Sequence, residues 1–177
     1  MGKIKEGKGT IIGNAGEYLV VGELLKRGVI AAPAPRNNPG FDVLATNGIK
    51  SLNIRVKTKT EAANSWVWIC KKDGAIFKNL SDEPDFTVLV DLKDSQTSPN
   101  YYIIPTVELD KKLREIFEYW LKSPSRRASK PHNPNNKMRR IGASENQQKW
   151  LSQWMGAWSL ILSDLETTPS PIPPPPA

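Results

Sequence analysis

Several residue types that build enzyme centres are scarce in this chain. Its 177 residues include one histidine and one cysteine, which excludes an internal disulfide and a zinc site built on several histidines. The histidine, His132, lies in a stretch rich in proline and asparagine, so Ser-His or Cys-His catalysis would need a loop histidine. The cysteine, Cys70, falls in an apolar, strand-like run, which is typical of a buried, reduced thiol in an intracellular protein.

Long hydrophobic runs are also missing. No apolar stretch approaches the roughly 20 residues that a membrane-spanning helix requires, and the N-terminal sequence lacks the apolar region of a signal peptide. We therefore expect a cytoplasmic protein that does not associate with membranes. Apolar residues make up 38% of the chain and charged residues 24%, values typical of a globular protein with a real hydrophobic core.

Acidic residues are absent from the segment 122–140, so the net positive charge of the chain lies in this segment. The whole chain has 25 Lys and Arg against 18 Asp and Glu, a net charge of +7. That excess equals the seven cations of the segment: Lys122, Arg126, Arg127, Lys130, Lys137, Arg139 and Arg140. Such a patch attracts polyanions by counterion release, which indicates a nucleic-acid partner. The alternative is a solvated basic loop without a ligand.

The N-terminal half of the chain shows clear secondary-structure signals. Apolar spacing over residues 13–26 predicts a helix, which the cations of the last turn and Gly28 end. A short strand follows at "VIAAPAP". The pair Asn47-Gly48 is a strong hairpin signal, and it predicts that residues 41–46 and 49–58 form an antiparallel hairpin.

Three more runs read as strands: "SWVWICKK", "DFTVLVDL" and "NYYIIPT". The second is almost entirely apolar, which indicates a central strand covered on both faces. Leu109, Leu113 and Trp120 fall at helical spacing within a helix predicted over 106–121. The order of these elements predicts an α/β or α+β domain around a mixed β-sheet.

The C-terminal third of the chain is different in character. We predict a basic loop over 122–143, an amphipathic helix over 144–166 with Ser144 as its N-cap, and a proline-rich tail over 167–177. Trp150, Trp154 and Trp158 recur every four residues of that helix. A stripe of this kind favours a packing surface over base stacking. The tail is of the type that docks on an aromatic groove of a partner protein.

Three polar residues could perform chemistry together. Glu17 lies on the first helix, Asp42 on one strand of the hairpin and Lys57 on the other. A pair of carboxylates can hold Mg²⁺, and Mn²⁺ accepts similar oxygen ligands. A nearby lysine can orient or activate a water and stabilise charge on a phosphate. These are the requirements of metal-assisted cleavage of a phosphodiester.

Three stretches resemble the PD-(D/E)xK nuclease superfamily: "GNAGEYLVVGELLKRGV", "APRNNPGFDVLA" and "LNIRVKTKT". The pattern is similar to that of archaeal Holliday-junction resolvases and small endonuclease-like proteins. The resemblance implies a restriction-endonuclease-like mixed β-sheet flanked by helices, occupying residues 1–121, with an extra C-terminal helix. It implies Asp42, Lys57 and Glu17 as catalytic residues, with Asp42 and Glu17 as the ligands of Mg²⁺ or Mn²⁺. A homodimer is also implied, although no interface pattern is visible.

One position departs from the family pattern. Arg55 stands where the family has a Glu or Gln metal ligand, and a guanidinium has no lone pair for a metal. Arg55 could instead pair with Asp42 or Glu17 and grip a phosphate, or Glu61 could supply the missing ligand. The predicted nucleic-acid contacts are cationic: Arg36, Arg55, Lys59, Arg126, Arg127, Lys130, Lys137, Arg139 and Arg140.

Three functions from different classes follow from these residues. The first is a metal-dependent endonuclease acting on DNA rather than RNA. The second is a nuclease-fold protein that has lost catalysis and binds nucleic acid, with Arg55 in place of the usual ligand. The third is an interaction module that works through the tryptophan stripe or the proline-rich tail. Binding that weakens steeply with salt would favour the first two, and metal dependence separates them from each other.

Overall fold

The structure is a computed structural model that describes residues 3–35, 40–71, 74–77, 85–94, 96–124 and 131–166. Helices and strands in this part of the chain follow one another in a fixed order. They are α1 (Lys3–Lys26), β1 (Ile30–Pro33), β2 (Val43–Thr46), β3 (Ser51–Lys59), β4 (Trp66–Ile69), β5 (Asp85–Asp91), β6 (Asn100–Pro105), α2 (Thr106–Lys122), β7 (Met138–Ile141), α3 (Glu145–Ser152) and α4 (Ser159–Glu166).

A five-stranded mixed sheet forms the centre, in the order β1-β2-β3-β5-β6. The predicted hairpin is confirmed, because β2 and β3 pair antiparallel with Val43 opposite Ile54. β3 then pairs in parallel with β5, and β5 pairs antiparallel with β6. The apolar run 86–90 of β5 is buried throughout, as predicted for a central strand. The predicted fold class, a mixed sheet flanked by helices, is confirmed.

The two faces of the sheet are covered by different elements. On one face Val20 and Leu24 of α1 pack with Ile54, Val88 and residues of α4 in one apolar cluster. On the other face α2, α3 and the strands β4 and β7 build a second cluster. Because side chains alternate along β3, Ile54 and Val56 face α1 while Arg55 and Lys57 face the second cluster.

Helix α1 comes close to strand β3 at Gly16. A Cβ atom built on this residue would lie 1.9 Å from Oγ1 of Thr58 in β3. That hydroxyl is buried and has no hydrogen-bond partner within the described structure. The absence of a side chain at Gly16 therefore sets how closely α1 packs on β3, and Glu17 is the next residue along this helix.

We expect Gly16→Ala to lower the free energy of unfolding by about 1–3 kcal/mol, the usual cost of overpacking. The matched control is Gly13→Ala on the same helix, where no atom lies within 4 Å of the added Cβ. That variant should gain about 0.5–1 kcal/mol, because alanine loses less backbone entropy than glycine in a helix. Urea unfolding of both variants, and of Gly16→Ala combined with Thr58→Ala, measures the effect. Equal changes at Gly13 and Gly16 would contradict the close contact.

Strand β4 corrects one sequence expectation. "SWVWICKK" was expected to contribute to the mixed sheet, but Trp66–Ile69 instead pairs antiparallel with β7 in a separate two-stranded sheet. β7 lies inside the segment 122–143, which was predicted to be a loop throughout. Cys70 follows β4 and is buried, as predicted, and its backbone N–H donates to Lys137 O at 2.8 Å.

One continuous helix was predicted over 144–166, and this prediction is wrong because two helices, α3 and α4, occupy the region. Ser144 caps α3 as expected, with its side chain accepting a hydrogen bond from the N–H of Gln147. After α3 the chain leaves the helical path to pair with the free edge of β6: Ile103 donates to Trp154 O at 3.0 Å, and Gly156 donates to Tyr101 O at 2.8 Å. Gly156 has φ 64°, a value that favours glycine and ends helical continuation.

This break separates the three tryptophans. Trp158 joins the cluster beside α1 and α4, whereas Trp150 and Trp154 pack against the cluster on the opposite face. All three serve packing, as the sequence favoured, but they do not form one stripe. The helix break lets the C-terminal segment cross the β6 edge and cover both faces of the sheet.

Candidate active site

Asp42 is positioned by the hairpin at the point where β2 begins. Its backbone N–H donates to Ile54 O at 2.9 Å, which extends the pairing of β2 with β3 by one residue. Its carboxylate Oδ2 accepts a hydrogen bond from the N–H of Val56 at 2.7 Å. The backbone carbonyl of Val56 points to the same side as its N–H, because a strand residue directs both groups toward one neighbour. The carboxylate of Asp42 is thus tied to the backbone of β3 at this strand end.

Three cations alternate along the face of β3 opposite α1: Arg55, Lys57 and Lys59. The guanidinium of Arg55 pairs with Asp85, with Nη2 and Nε at 2.8 and 2.9 Å from the same carboxylate oxygen. The ammonium of Lys59 lies 2.7 Å from Asp91. Both aspartates belong to β5, so the outer two cations are held by the neighbouring strand.

Lys57, the middle cation, has different surroundings. It lies opposite Leu89 in the β3–β5 ladder, and its Nζ is 5.8 Å from the centroid of the Trp68 ring. The charge of Asp42 acts on it and opposes the lowering of its pKa. Arg55 is paired with Asp85, but its charge also acts on Asp42, so Arg55 and Lys57 both belong to the surroundings of this carboxylate.

Burial dominates the electrostatics of both groups. It raises the pKa of Asp42 above its ordinary value, although the Val56 hydrogen bond and the charges of Arg55 and Lys57 oppose this rise, and the charge of Asp85 adds to it. Burial likewise lowers the pKa of Lys57, with the charge of Asp42 acting in the opposite direction. Each group is held in an environment that disfavours its charged form, which is typical of functional sites.

Asp85 is the residue that sequence reasoning missed. It supplies the partner that was sought for Arg55, and its second carboxylate oxygen accepts a hydrogen bond from the hydroxyl of Thr106 at 3.0 Å. The predicted migrated ligand, Glu61, is exposed and lines a separate cavity of about 430 Å³ with Asp91 and Lys93. The only signal for Asp85 in the sequence was its place at the start of the apolar run of β5.

Glu17 is half-buried on α1, one residue after the contact between Gly16 and Thr58. Its helix packs on the face of the sheet opposite Lys57, so its approach to Asp42 would have to pass the end of β2. Glu17 stays a predicted ligand. Arg36, Arg126, Arg127 and Lys130 lie outside the described residues.

The remaining predicted nucleic-acid contacts lie at or next to β7. Lys137 and Arg140 are exposed, and Arg139 is half-buried, with its guanidinium carbon 3.3 Å from the centroid of the Phe117 ring. Lys59 is different, because its ammonium is already paired with Asp91. Among the predicted contacts that the structure describes, the fully exposed cations are therefore Lys137 and Arg140.

The donor set suits a hard divalent cation at Asp42. Its buried carboxylate has a raised pKa, which means that a positive charge beside it would relieve an unfavourable environment. Mg²⁺ binds through one or two carboxylates and keeps several waters. Within the described residues, no group of three or more His, Cys, Asp or Glu side chains is placed to hold a metal.

Replacing Asp42 by asparagine should raise the melting temperature at neutral pH. The amide oxygen can still accept the Val56 hydrogen bond, while the cost of an ionised, buried carboxylate disappears. The pKa of Asp42 is higher in the folded protein than in the unfolded chain. The free-energy cost of burying its ionised carboxylate is therefore fully present at a pH above the folded pKa, and it is absent at a pH below the unfolded pKa. The gain should therefore vanish as the pH falls through the pKa of Asp42.

Thermal unfolding at a series of pH values measures this effect. The control is Asp94→Asn, for which the expected change in stability has the opposite sign. The Gln96 N–H lowers the pKa of Asp94, so the ionised form stabilises the fold and the asparagine variant should lose a little stability at neutral pH. A loss of stability in Asp42→Asn at neutral pH would contradict the dominance of burial at Asp42.

No helix in the described parts of the chain is long and apolar enough to cross a membrane. This finding agrees with the absence of long hydrophobic runs in the sequence.

Comparison with known proteins gives matches among solved structures. No protein-family model matches the chain, and no curated protein does. A bacterial homing endonuclease, I-Ssp6803I, is 14% identical, with a TM-score of 0.49 over 87% of this chain and 91% of that chain. Hjc, a Holliday junction resolvase from the archaeon Archaeoglobus fulgidus, is 17% identical, with a TM-score of 0.42 over 78% of this chain and 88% of that chain.

Proposed function

We propose that the protein is a cytoplasmic nuclease of the PD-(D/E)xK type that hydrolyses phosphodiester bonds of DNA with a divalent metal held at Asp42. The observation that carries this proposal is the position of Asp42, held on the Val56 N–H at the start of β2, next to Lys57 on the adjacent strand, where the charge of each acts on the other. Arg55 and Lys59, on either side, are held by Asp85 and Asp91. The unusual Arg55 is therefore already paired with a carboxylate, and the site keeps one carboxylate and one amine for chemistry.

Each residue has a role that its environment supports. Asp42 would hold Mg²⁺ together with the Val56 carbonyl, and Glu17 is the proposed second carboxylate. A bound Mg²⁺ supplies charge neutralisation at the phosphate and acidifies a coordinated water. The lowered pKa of Lys57 makes its amine a suitable proton acceptor for an attacking water, and its ammonium form stabilises negative charge on phosphate. The ring of Trp68 lies beside this ammonium.

A second candidate function rests on a specific observation. Arg55 occupies the position of a metal ligand, and the described residues show no cluster of three ligating side chains. A nuclease-fold protein that binds nucleic acid without cleaving it is compatible with both facts. In that case Lys57 and the cations of β7 would hold a phosphate backbone.

The experiment that tests the proposal is cleavage of labelled plasmid, linear duplex and branched DNA with Mg²⁺ or Mn²⁺. Chelator, Asp42→Ala and Lys57→Ala serve as controls. Cutting that disappears in all three controls is the expected result. An absence of cutting, with salt-sensitive binding intact, would favour the second function and reject the first.

Removing the seven cations of 122–140 should weaken nucleic-acid binding far more than it weakens folding. Each cation that contacts a phosphate contributes about 0.9 to the slope of log affinity against log salt. Titrations of labelled duplex at several salt concentrations therefore measure how many of the seven take part. An unchanged slope and affinity in the variant with all seven replaced would show that the segment is only a solvated surface.

A further inference from the structure

A groove of about 990 Å³ lies between α2, β7 and the start of α3. Its size falls at the upper end of the range of small-ligand sites. The groove is separate from Asp42 and Lys57, which do not line it. Its most unusual feature is a series of aromatic rings that stay half-buried along an open surface, although rings of this size normally enter a core.

The rings form one continuous series. Phe117 stacks on Trp120 with centroids 5.5 Å apart and planes inclined by 24°, and Trp120 contacts the His132 ring at 4.0 Å. Arg139 lies over the Phe117 ring, with its guanidinium carbon 3.3 Å from the ring centroid. Its Nη1 donates to Asn136 O at 2.7 Å. A planar cation is thus held flat against planar rings in advance of any ligand.

The charged residues of the groove favour a negatively charged ligand. The described residues that line it include three permanent cations and one acid. The acid, Glu115, is paired with Lys112 at 3.0 Å, so Arg139 and Arg140 leave the β7 side positive. Polar groups that can donate and accept, such as those of Asn146 and Ser123, complete the lining. Stacking surfaces beside arginines that form no ion pair within the described residues match a ligand that carries both flat bases and phosphates.

The groove is connected to the candidate active site through one pair of strand residues. Arg139 of β7 lies directly opposite Trp68 of β4, and Trp68 is the ring beside the ammonium of Lys57. Both sites therefore lie on the same side of the central sheet.

We propose that this groove binds the unpaired bases of a single-stranded nucleic-acid segment, by stacking on the exposed ring of Tyr119 and the half-buried rings of Trp120 and His132 and by pairing its phosphates with Arg139 and Arg140. The inference rests on the proposed function in that the ligand is nucleic acid. It adds that the preferred substrate contains single-stranded nucleotides. DNA and RNA share this chemistry.

The test is fluorescence anisotropy of labelled oligonucleotides of about 15 nucleotides, within the range of single-strand site sizes. Single-stranded DNA, single-stranded RNA and blunt duplex DNA are titrated with the full chain in chelator, so that hydrolysis does not contribute. Poly-glutamate serves as the competitor that has charge but no bases. We expect a single strand to bind more tightly than the duplex and poly-glutamate to compete weakly. The two single-stranded arms show which nucleic acid is bound.

The variants are Tyr119→Ala and Trp120→Leu, with Tyr18→Ala as the matched control. Tyr119 lines the groove and is 78% exposed, whereas Tyr18 is 66% exposed on α1, across the sheet. Each groove variant should weaken single-strand binding by about fivefold or more, the effect of losing one stacked base, and Tyr18→Ala should not change it. Because Tyr119 is exposed, its removal should leave the fold intact even if Trp120→Leu unfolds.

Equal affinity for single strand and duplex, equal competition by poly-glutamate, or no effect of Tyr119→Ala would each overturn the inference. A negative result in these binding titrations can be distinguished from a failure of the proposed hydrolysis. Binding is measured in chelator, where no metal is held, so its result does not depend on whether Asp42 holds a metal. Conversely, cleavage of duplex DNA that depends on Asp42 would stand even if the groove binds no bases.

Discussion

Replacing Lys57 by alanine should slow DNA hydrolysis by at least about a hundredfold, the usual contribution of a positioned acid or base. The same variant should remain as stable as the natural chain or become slightly more so. Burial already disfavours the charged form of Lys57, so removing its ammonium leaves no strongly paired group behind. Single-turnover cleavage and urea unfolding measure the two quantities separately.

The matched control is Lys59→Ala, two residues further along the same face of β3. Its removal leaves the buried Asp91 with only Lys93, at 3.5 Å, so the free energy of unfolding should fall by about 2 kcal/mol. Hydrolysis by the folded fraction should stay close to the natural rate. If Lys59→Ala slowed cleavage as much as Lys57→Ala, the cations would act through general charge, and the specific role of Lys57 would be rejected.

Replacing Arg55 by glutamine should have the largest effect on stability and on metal affinity together. The Arg55–Asp85 pair has side chains only 14% and 8% exposed, and breaking a buried pair costs about 3–5 kcal/mol because one charge is left uncompensated. Asp85 would then stand close to Asp42, since its charge already raises the pKa of Asp42. Two neighbouring carboxylates attract Mg²⁺, so its affinity should rise by about tenfold or more.

Calorimetry with Mg²⁺ and Mn²⁺ measures the affinity, and thermal unfolding with and without metal shows whether the ion restores the lost stability. The control is Arg55→Gln combined with Asp85→Asn, which removes both charges. It should recover part of the stability without the gain in metal binding. If Arg55→Gln bound metal no better than the natural chain, Asp85 would not be a latent ligand of this site.

The site separates into a part that local sequence predicts and a part that it does not. Alternation along a strand and the turn at Asn47-Gly48 are local features, and they were sufficient to bring Asp42 beside β3 and to place Lys57 on its polar face. The partner of Arg55 is not local. Asp85 lies 30 residues away, and its position depends on the parallel pairing of β3 with β5, which no short motif encodes.

The C-terminal region shows the same limit. Helical spacing of Trp150, Trp154 and Trp158 was real, but pairing of residues 154–156 with the edge of β6 overrode it, since tertiary hydrogen bonds outweigh weak helix propensity. The pairing of β4 with β7 joins segments about seventy positions apart in the sequence. Both features decide where the aromatic groove forms, and so the groove could not be predicted from sequence periodicity.

The central claim is that Asp42 holds a divalent metal despite the arginine at position 55. The most direct measurement is a calorimetric titration of Mn²⁺ into the natural chain and into Asp42→Asn at neutral pH. We expect the natural chain to bind Mn²⁺ and the variant, which keeps the Val56 hydrogen bond, to lose at least about tenfold in affinity. Identical titrations for the two proteins would contradict the claim and would leave the site as one that holds phosphate without metal.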